Sequence, residues 1–345
     1  MKKTNYIISA ALVIFLFFGV KLATALEPVP EESGFGGFVR PGVGYINYKS
    51  NLVASFVGLD LSDKKINSLT DSPDSQSNGI ALVPFSLEYT FASTRTQLFM
   101  GTELTDLIRF DLSQQIGVKQ EIGQAGILQG GFLFNGIPAK EWKDPYVVNQ
   151  NRDETSRTAT GGRLVWDRMF GIPLQLQYSY RKIDIGSEKS GEFLGLTSAE
   201  RDLLDRNGDR HVAEAIYRFR FAQKHTLAPQ FIYTKDNRDG DARKNDAYDF
   251  QLTYAYIGKP FSLTANAFVG WADYDEKNPI YGKTQNDDRY GILGALYYTN
   301  PWNWSLFGSN PMNFFINAGF VKTDASIDFY DQEALIATAG VFLKW

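Results

Sequence analysis

Two histidines and no cysteine narrow the covalent chemistry open to this chain. Without a thiol there is no disulfide framework, zinc–thiolate site or cysteine nucleophile. His211 has Asp209 close by, with Ser187, Ser190 and Ser198 in the stretch before it. These are the parts of a serine hydrolase, which needs nucleophile, base and orienting acid within hydrogen-bond reach. No spacing here enforces that geometry, and no G-x-S-x-G elbow is present. His225 beside Lys224 falls in a short turn and reads as turn solvation. Asp205-x-Asn207-x-Asp209, and Asp236, Asp239 and Asp241, could offer calcium hard oxygen ligands. The first cluster has Arg210 and Ile216 where an EF-hand loop needs glycine and an acidic residue. Turn-forming side chains explain both clusters more simply. The expectation is no enzyme, no cofactor and no metal.

The remaining candidates are charges set inside alternating segments, so the segments come next. In 171–184, Leu174, Leu176, Tyr178 and Tyr180 fall on one face, opposite Gln175, Gln177, Ser179 and Arg181. In 246–258, Tyr248, Phe250, Leu252, Tyr254 and Tyr256 oppose Asp249, Gln251, Thr253 and Ala255. In 111–122, Leu112, Ile116, Val118 and Ile122 oppose Asp111, Ser113, Gln115, Lys119 and Glu121. Period-two alternation over about ten residues marks strands with one apolar and one polar face. Fourteen such segments can be drawn: 35–47, 79–91, 96–103, 111–122, 127–135, 157–168, 172–184, 211–222, 226–235, 246–257, 261–273, 289–299, 313–324 and 333–345. Connections near 48–78, 136–156, 185–210, 236–245 and 274–288 are long; 123–126, 223–225 and 258–260 are short. Two, 104–110 and 300–312, break the rhythm.

Tyr45, Tyr89, Phe91, Phe134, Tyr256, Trp271, Tyr298 and Phe320 lie on the apolar faces near segment ends, as interfacial girdles would. Arg163, Glu214 and Arg218 stand mid-strand on the other faces, where a packed soluble core rarely tolerates charge. The expected fold is therefore all-β: a transmembrane antiparallel up-and-down β-barrel of about 14 strands, with both termini periplasmic. Residues 1–25 read as a secretory signal, with Lys2 and Lys3, an apolar stretch over 7–20 and Ala23-Thr24-Ala25. The barrel domain would then be residues 26–345. Loss of Lys2, Lys3 and Lys21 takes the formal charge from −4 to −7, which speaks against a nucleic-acid partner.

The last segment sets Leu335, Ala337, Ala339, Val341, Leu343 and Trp345 on one face. It resembles the C-terminal strand that the barrel-assembly machinery reads in bacterial porin-like outer-membrane proteins; Trp345 replaces the usual Phe. That general resemblance covers residues 33–345. Pro28-Val29-Pro30-Glu31-Glu32-Ser33-Gly34-Phe35-Gly36-Gly37-Phe38 and Leu203-Leu204-Asp205-Arg206-Asn207-Gly208-Asp209 are similar to an uncharacterised family of outer-membrane barrels, a domain of unknown function. The resemblance implies the outer membrane of a Gram-negative bacterium, with outer-membrane lipids and lipopolysaccharide, the barrel-assembly machinery and small solutes as partners. It brings no substrate or catalytic residue.

Parity assigns the lumen. Arg163, Arg181, Arg218 and Arg220 should face inward, with Asp167 and Glu214 among them. Glu88, Glu103, Asp111 and Glu121 should form a more acidic wall, with Lys119 the exception. Such a field suits polar or charged solutes. Internal salt bridges that only hold the barrel's shape would use the same residues. A constriction is sought in 185–210, where Thr197 or Ser198 can cap a short helix through Leu204. The function expected is a porin-like channel for passive diffusion of small hydrophilic or charged solutes. A non-conducting structural or receptor barrel is the alternative; a hydrophobic-compound transporter or a rim hydrolase fits the inner face less well.

Overall fold

The computed structural model describes residues 26–102, 113–136, 138–302, 304–306 and 310–345. Segment 1–25 and the candidates Glu103 and Asp111 lie outside the described residues. Fourteen antiparallel strands close into one barrel. They are β1 (Gly34–Val39, resumed at Gly42–Lys49), β2 (Ser75–Leu82, resumed at Phe85–Phe91), β3 (Thr96–Thr102), β4 (Gln114–Glu121), β5 (Ile127–Phe134), β6 (Glu154–Asp167) and β7 (Leu174–Ile185). Next come β8 (Gly208–Tyr217, resumed at Phe219–Phe221), β9 (His225–Arg238), β10 (Asn245–Ile257), β11 (Phe261–Asn278), β12 (Lys283–Thr299), β13 (Asn313–Ala325) and β14 (Gln332–Lys344). Each strand pairs with its sequence neighbours, and β14 closes on β1 from Phe38↔Lys344 through Lys49↔Glu333. Among the described residues closure leaves no wall strand with a free edge, which a wall in hydrocarbon requires. Pro41 and Pro84 sit side by side at the breaks in β1 and β2, where each removes a ladder donor; Arg40 N donates across the gap to Pro84 O at 2.8 Å.

The period of two in the sequence becomes an inside and an outside. On β7, Leu176 and Tyr178 are exposed while Gln175, Ser179 and Arg181 are buried; on β10, Phe250 and Leu252 are exposed while Asp249, Gln251 and Thr253 are buried. Leu164, Val269, Ile292 and Ile316 continue the apolar outer belt, and Phe35, Tyr45, Phe91, Trp271 and Tyr298 stand on it in aromatic positions. A water-soluble barrel inverts this pattern, so the outer surface is suited to lipid. Among the described residues no helix is long and apolar enough to cross a membrane; crossing falls to the strands.

Both described termini lie at the same end, where Gly37 and Trp345 exchange backbone hydrogen bonds at 3.1 and 3.2 Å. The segment from Leu26 to Ser33 crosses this mouth: Arg168 donates to Leu26 O at 2.5 Å, Arg95 to Pro30 O at 2.9 Å, and Lys344 meets Glu27 at 2.8 Å. At the other end the connections pack on one another. Tyr146, Leu204, Ile327, Phe329 and Tyr330 form a buried cluster, joined by Ile66, Leu194 and Tyr281. Tyr146 and Tyr330 share a hydroxyl hydrogen bond of 2.6 Å, and Asn278 donates to Tyr330 at 2.7 Å. Burial pushes the Tyr146 hydroxyl well above its usual pKa, so it stays protonated as part of this cap.

Two features differ from the sequence reading. Strands β11 and β12 run on to Asn278 and back from Lys283, so the long connection expected over 274–288 shrinks to a tight turn. And the segment that enters the barrel comes from 48–78. Val53–Phe56 and Leu59–Asp60 form a hairpin against the inner side chains Ile46, Tyr48 and Ile80. Ala139–Trp142 pairs with this hairpin on one side and with the start of β6 on the other, forming a short ladder inside the wall. Segment 185–210 lies above it. Its helix, Ser198–Asp202, carries the expected Thr197 cap in a reciprocal box with Glu200, which holds the Glu200 carboxyl below its usual range.

Candidate functional site

The barrel encloses a cavity of about 650 Å³ that touches most of the strands. Its two sides differ because different segments supply them. The inner face of β1 and β2 with the hairpin contributes Ile46, Val53, Phe56, Leu61, Ile80 and Leu82. Strand β8 lies half a turn from β1 in a fourteen-strand ring, and the wall around it is polar. There Gln177 and Gln230 donate to the two oxygens of Glu214 at 3.0 and 2.5 Å, and Gln251 donates to Gln230 at 2.8 Å. These amides form a transverse hydrogen-bonded row over four adjacent strands.

The sequence candidates take distinct places. Arg163 is 3% exposed, borders the cavity and donates from Nε to Ser179 Oγ at 2.9 Å. Arg181 is buried on β7 and reaches Ser113 Oγ at 3.3 Å. Arg218 borders the cavity, pairs with Asp167 at 2.8 Å and donates to Gln175 at 2.6 Å. Arg220, of inward parity on β8, stands exposed at the mouth near the termini. Glu88 borders the cavity and accepts from Ser86 at 3.0 Å. Glu121 takes Arg95 at 2.6 Å and Val29 N at 3.2 Å, so it anchors the segment that crosses the mouth. Val341 and Leu343 are half-buried and Trp345 is exposed at the end of β14.

Other charged groups border the cavity without having been singled out from the sequence. Arg206 reaches down from above, bound to Glu188 at 2.7 Å and Glu141 at 3.0 Å. Burial opposes its charge, but Glu188 and Glu141 outweigh that cost and hold its pKa above the ordinary value. Arg210 and Arg238 both bind Asp236, the latter at 2.9 Å. Arg157 meets Glu141 at 3.2 Å, and Arg243 lies 4.3 Å over the Tyr330 ring. Arg210 and Arg238 fall just beyond the segment ends drawn from the alternation; following inward parity one residue further for Arg210 and three for Arg238 would have found both. Arg40 lies within a drawn segment, and its parity alone would have placed it inside.

The hydrolase and calcium candidates do not assemble. His211 faces outward between Tyr178, whose hydroxyl is 2.6 Å from Nδ1, and Tyr180, which donates to Asp209 at 2.6 Å. His225 opens β9 rather than lying in a solvated turn, with Tyr254 OH at 2.7 Å and Phe221 stacked on it at 5.4 Å. Asp205 accepts from both nitrogens of Asn207 at 2.8 Å, an Asx turn. Among the described residues no three acidic or histidine groups gather as a metal site.

Residues 34–344 match the family described as "Protein of unknown function (DUF2860)", and the chain belongs to that family. No curated protein sequence matches it. Among solved structures it is similar to the outer membrane channel DcaP of Acinetobacter baumannii, with a TM-score of 0.43 and 10% identity over 96% of this chain and 100% of that one. It is also similar to OmpT, an outer membrane protein of Vibrio cholerae, at 0.40 and 10% over 90% and 98%. Pseudomonas aeruginosa OccK3 follows at 0.37 and 13% over 93% and 98%. Likeness at this level carries no functional inference.

Proposed function

From a family described only as of unknown function, we propose that this member is a channel in the outer membrane of a Gram-negative bacterium, passing small hydrophilic or charged solutes by diffusion. No covalent step and no cofactor enters. The observation that carries this reading is the cavity's charge. Among the described residues its lining holds nine basic side chains against five acidic ones, in a chain whose formal charge is −4. A basic interior in an acidic protein is not a by-product of composition. In a narrow, poorly screened passage it raises the local concentration of anions. On this reading residues 1–25 are the export signal and both termini are periplasmic. Val341, Leu343 and Trp345 would form the assembly signal, and the aromatic belt would meet lipid and lipopolysaccharide.

One observation favours a second reading, a non-conducting receptor or structural barrel: the apolar cap of Tyr146, Leu204 and Phe329 over the far end. Planar-bilayer recording separates the two. A channel gives discrete conductance steps and a reversal potential on the anion side in a salt gradient. Arg163→Gln with Arg181→Gln should move that potential toward cations. The shift should fade as the Debye length falls from about 10 Å at 0.1 M to about 3 Å at 1 M. Absence of any step from folded protein would select the receptor reading.

A further inference from the structure

We infer that the lumen holds a binding station for organic monoanions with an apolar body, built around Arg40. This deepens the channel reading by naming a substrate class, and it rests on that reading for the step of transport but not for the step of binding.

Arg40 follows the first half of β1, at the proline break, and its side chain is 9% exposed on the cavity wall. Its guanidinium lies 4.1 Å over the Phe315 ring and 5.4 Å from that of Tyr297. Nη2 donates to Asn317 Oδ1 at 2.6 Å, while Nε is buried with no hydrogen-bond partner. Every one of these contacts is neutral. Arg218 has Asp167, Arg206 has two glutamates, and Arg210 and Arg238 share Asp236. Among the described residues Arg40 has no carboxylate. Its aromatic and amide neighbours offset only part of the cost of taking a cation out of water, and an unused donor adds to that cost. An anion arriving from the lumen would supply what is missing.

The surroundings say what else the anion must carry. Apolar side chains flank Arg40: Phe38 two residues earlier on β1, Phe342 packed on the Tyr297 and Phe315 rings, and Leu82, which borders the cavity from the position paired with Gly42. Ile80, Ile46 and Phe56 of the hairpin continue this apolar side further along the lumen. Chloride or phosphate would answer the guanidinium and leave this surface wet. An uncharged hydrocarbon would cover the surface and leave the guanidinium unanswered. One uncompensated cation beside an apolar face fits one negative group on an apolar body, a carboxylate or sulfonate.

Phenylacetate is a suitable probe, with acetate as the anion lacking the body and 2-phenylethanol as the body lacking the charge. Isothermal titration of the folded full-length barrel in detergent reads binding whether or not the pore conducts. Phenylacetate should bind about tenfold or more tightly than either control. Arg40→Gln should remove most of that margin while keeping an amide for Asn317. Its fold, followed by circular dichroism and thermal unfolding, should survive, since a buried charge is lost. Leu82→Ser should weaken phenylacetate and leave acetate unchanged. Equal affinity of the wild-type barrel for phenylacetate and either control would overturn the station, whatever the variants do. So would undiminished phenylacetate binding by folded Arg40→Gln. Bilayer recording then tells the two ideas apart. Binding lost in Arg40→Gln without conductance in any salt leaves the station standing and removes the channel. Conductance with no phenylacetate preference does the reverse.

Discussion

Leu176 and Gln177 are adjacent on β7, yet one is exposed on the outer belt and the other accompanies Glu214 inside. That contrast makes a sharp test of the register. Leu176→Arg puts a cation into hydrocarbon and should destabilise the folded barrel by about 2–4 kcal/mol if it lies near the midplane. Gln177→Arg keeps a donor for Glu214 and should alter stability by under about 1 kcal/mol while changing ion selectivity. Urea unfolding in vesicles measures both, and equal losses would show that the wall is read backwards. At this scale the sequence was legible in direction but not in depth or partner. Alternation shows that Arg163, Arg181 and Arg218 turn inward. It cannot show that Arg220 ends in the open mouth, that Arg218 is answered by Asp167, or that Glu121 is occupied by Arg95. Those facts depend on how far each residue lies along the axis and on contacts between distant segments. Arg40 was missed because no charged neighbour draws attention to it, and the lack of an ionic partner is visible only in three dimensions.

The fourteen wall strands were legible as elements because each buries one face and wets the other. The hairpin of Val53–Phe56 and Leu59–Asp60 was not. Its strands are too short for a period to emerge, and its tip lacks the Asn-Gly or Asp-Gly pair that marks such turns. Val57 and Gly58 both take positive φ, +52° and +76°, as a two-residue turn with this twist requires. A valine in that region costs about 1–2 kcal/mol, a strain that packing on Ile46 and Ile80 must outweigh. The hairpin is therefore held by side-chain contact and a few backbone pairs, whereas the wall is held by its own closed ladder. Replacing Val53–Leu61 with a short Gly-Ser linker should leave the barrel folded, widen the lumen and raise single-channel conductance severalfold. Unchanged conductance from a folded deletion protein would place the narrowest point elsewhere, in the cap or in the segment that crosses the other mouth.

At the scale of the whole molecule the two ends are built differently, and that difference predicts an orientation. One end carries the termini and tight turns such as Gly123–Ala125 and Met169–Gly171. The other carries the long connections folded into an apolar-cored cap. Closure, strand number and the common end of the termini were legible because alternation and loop rhythm are repeated along the chain. The cap was not, because its cluster joins residues as far apart as Ile66 and Tyr330, each unremarkable in its own loop. Barrels of this kind place long connections outside the cell and short turns in the periplasm. With no native cysteine, the chain offers a clean background for testing that placement. Asn67 and Ala199 are exposed on the capped end, and Gln124 is exposed on a turn at the opposite end. Asn67→Cys and Ala199→Cys should react with a bulky impermeant maleimide on intact cells. Gln124→Cys should react only after the outer membrane is opened. The reverse pattern would turn the barrel over in the membrane and set Arg40 nearer the outer mouth than the periplasmic one.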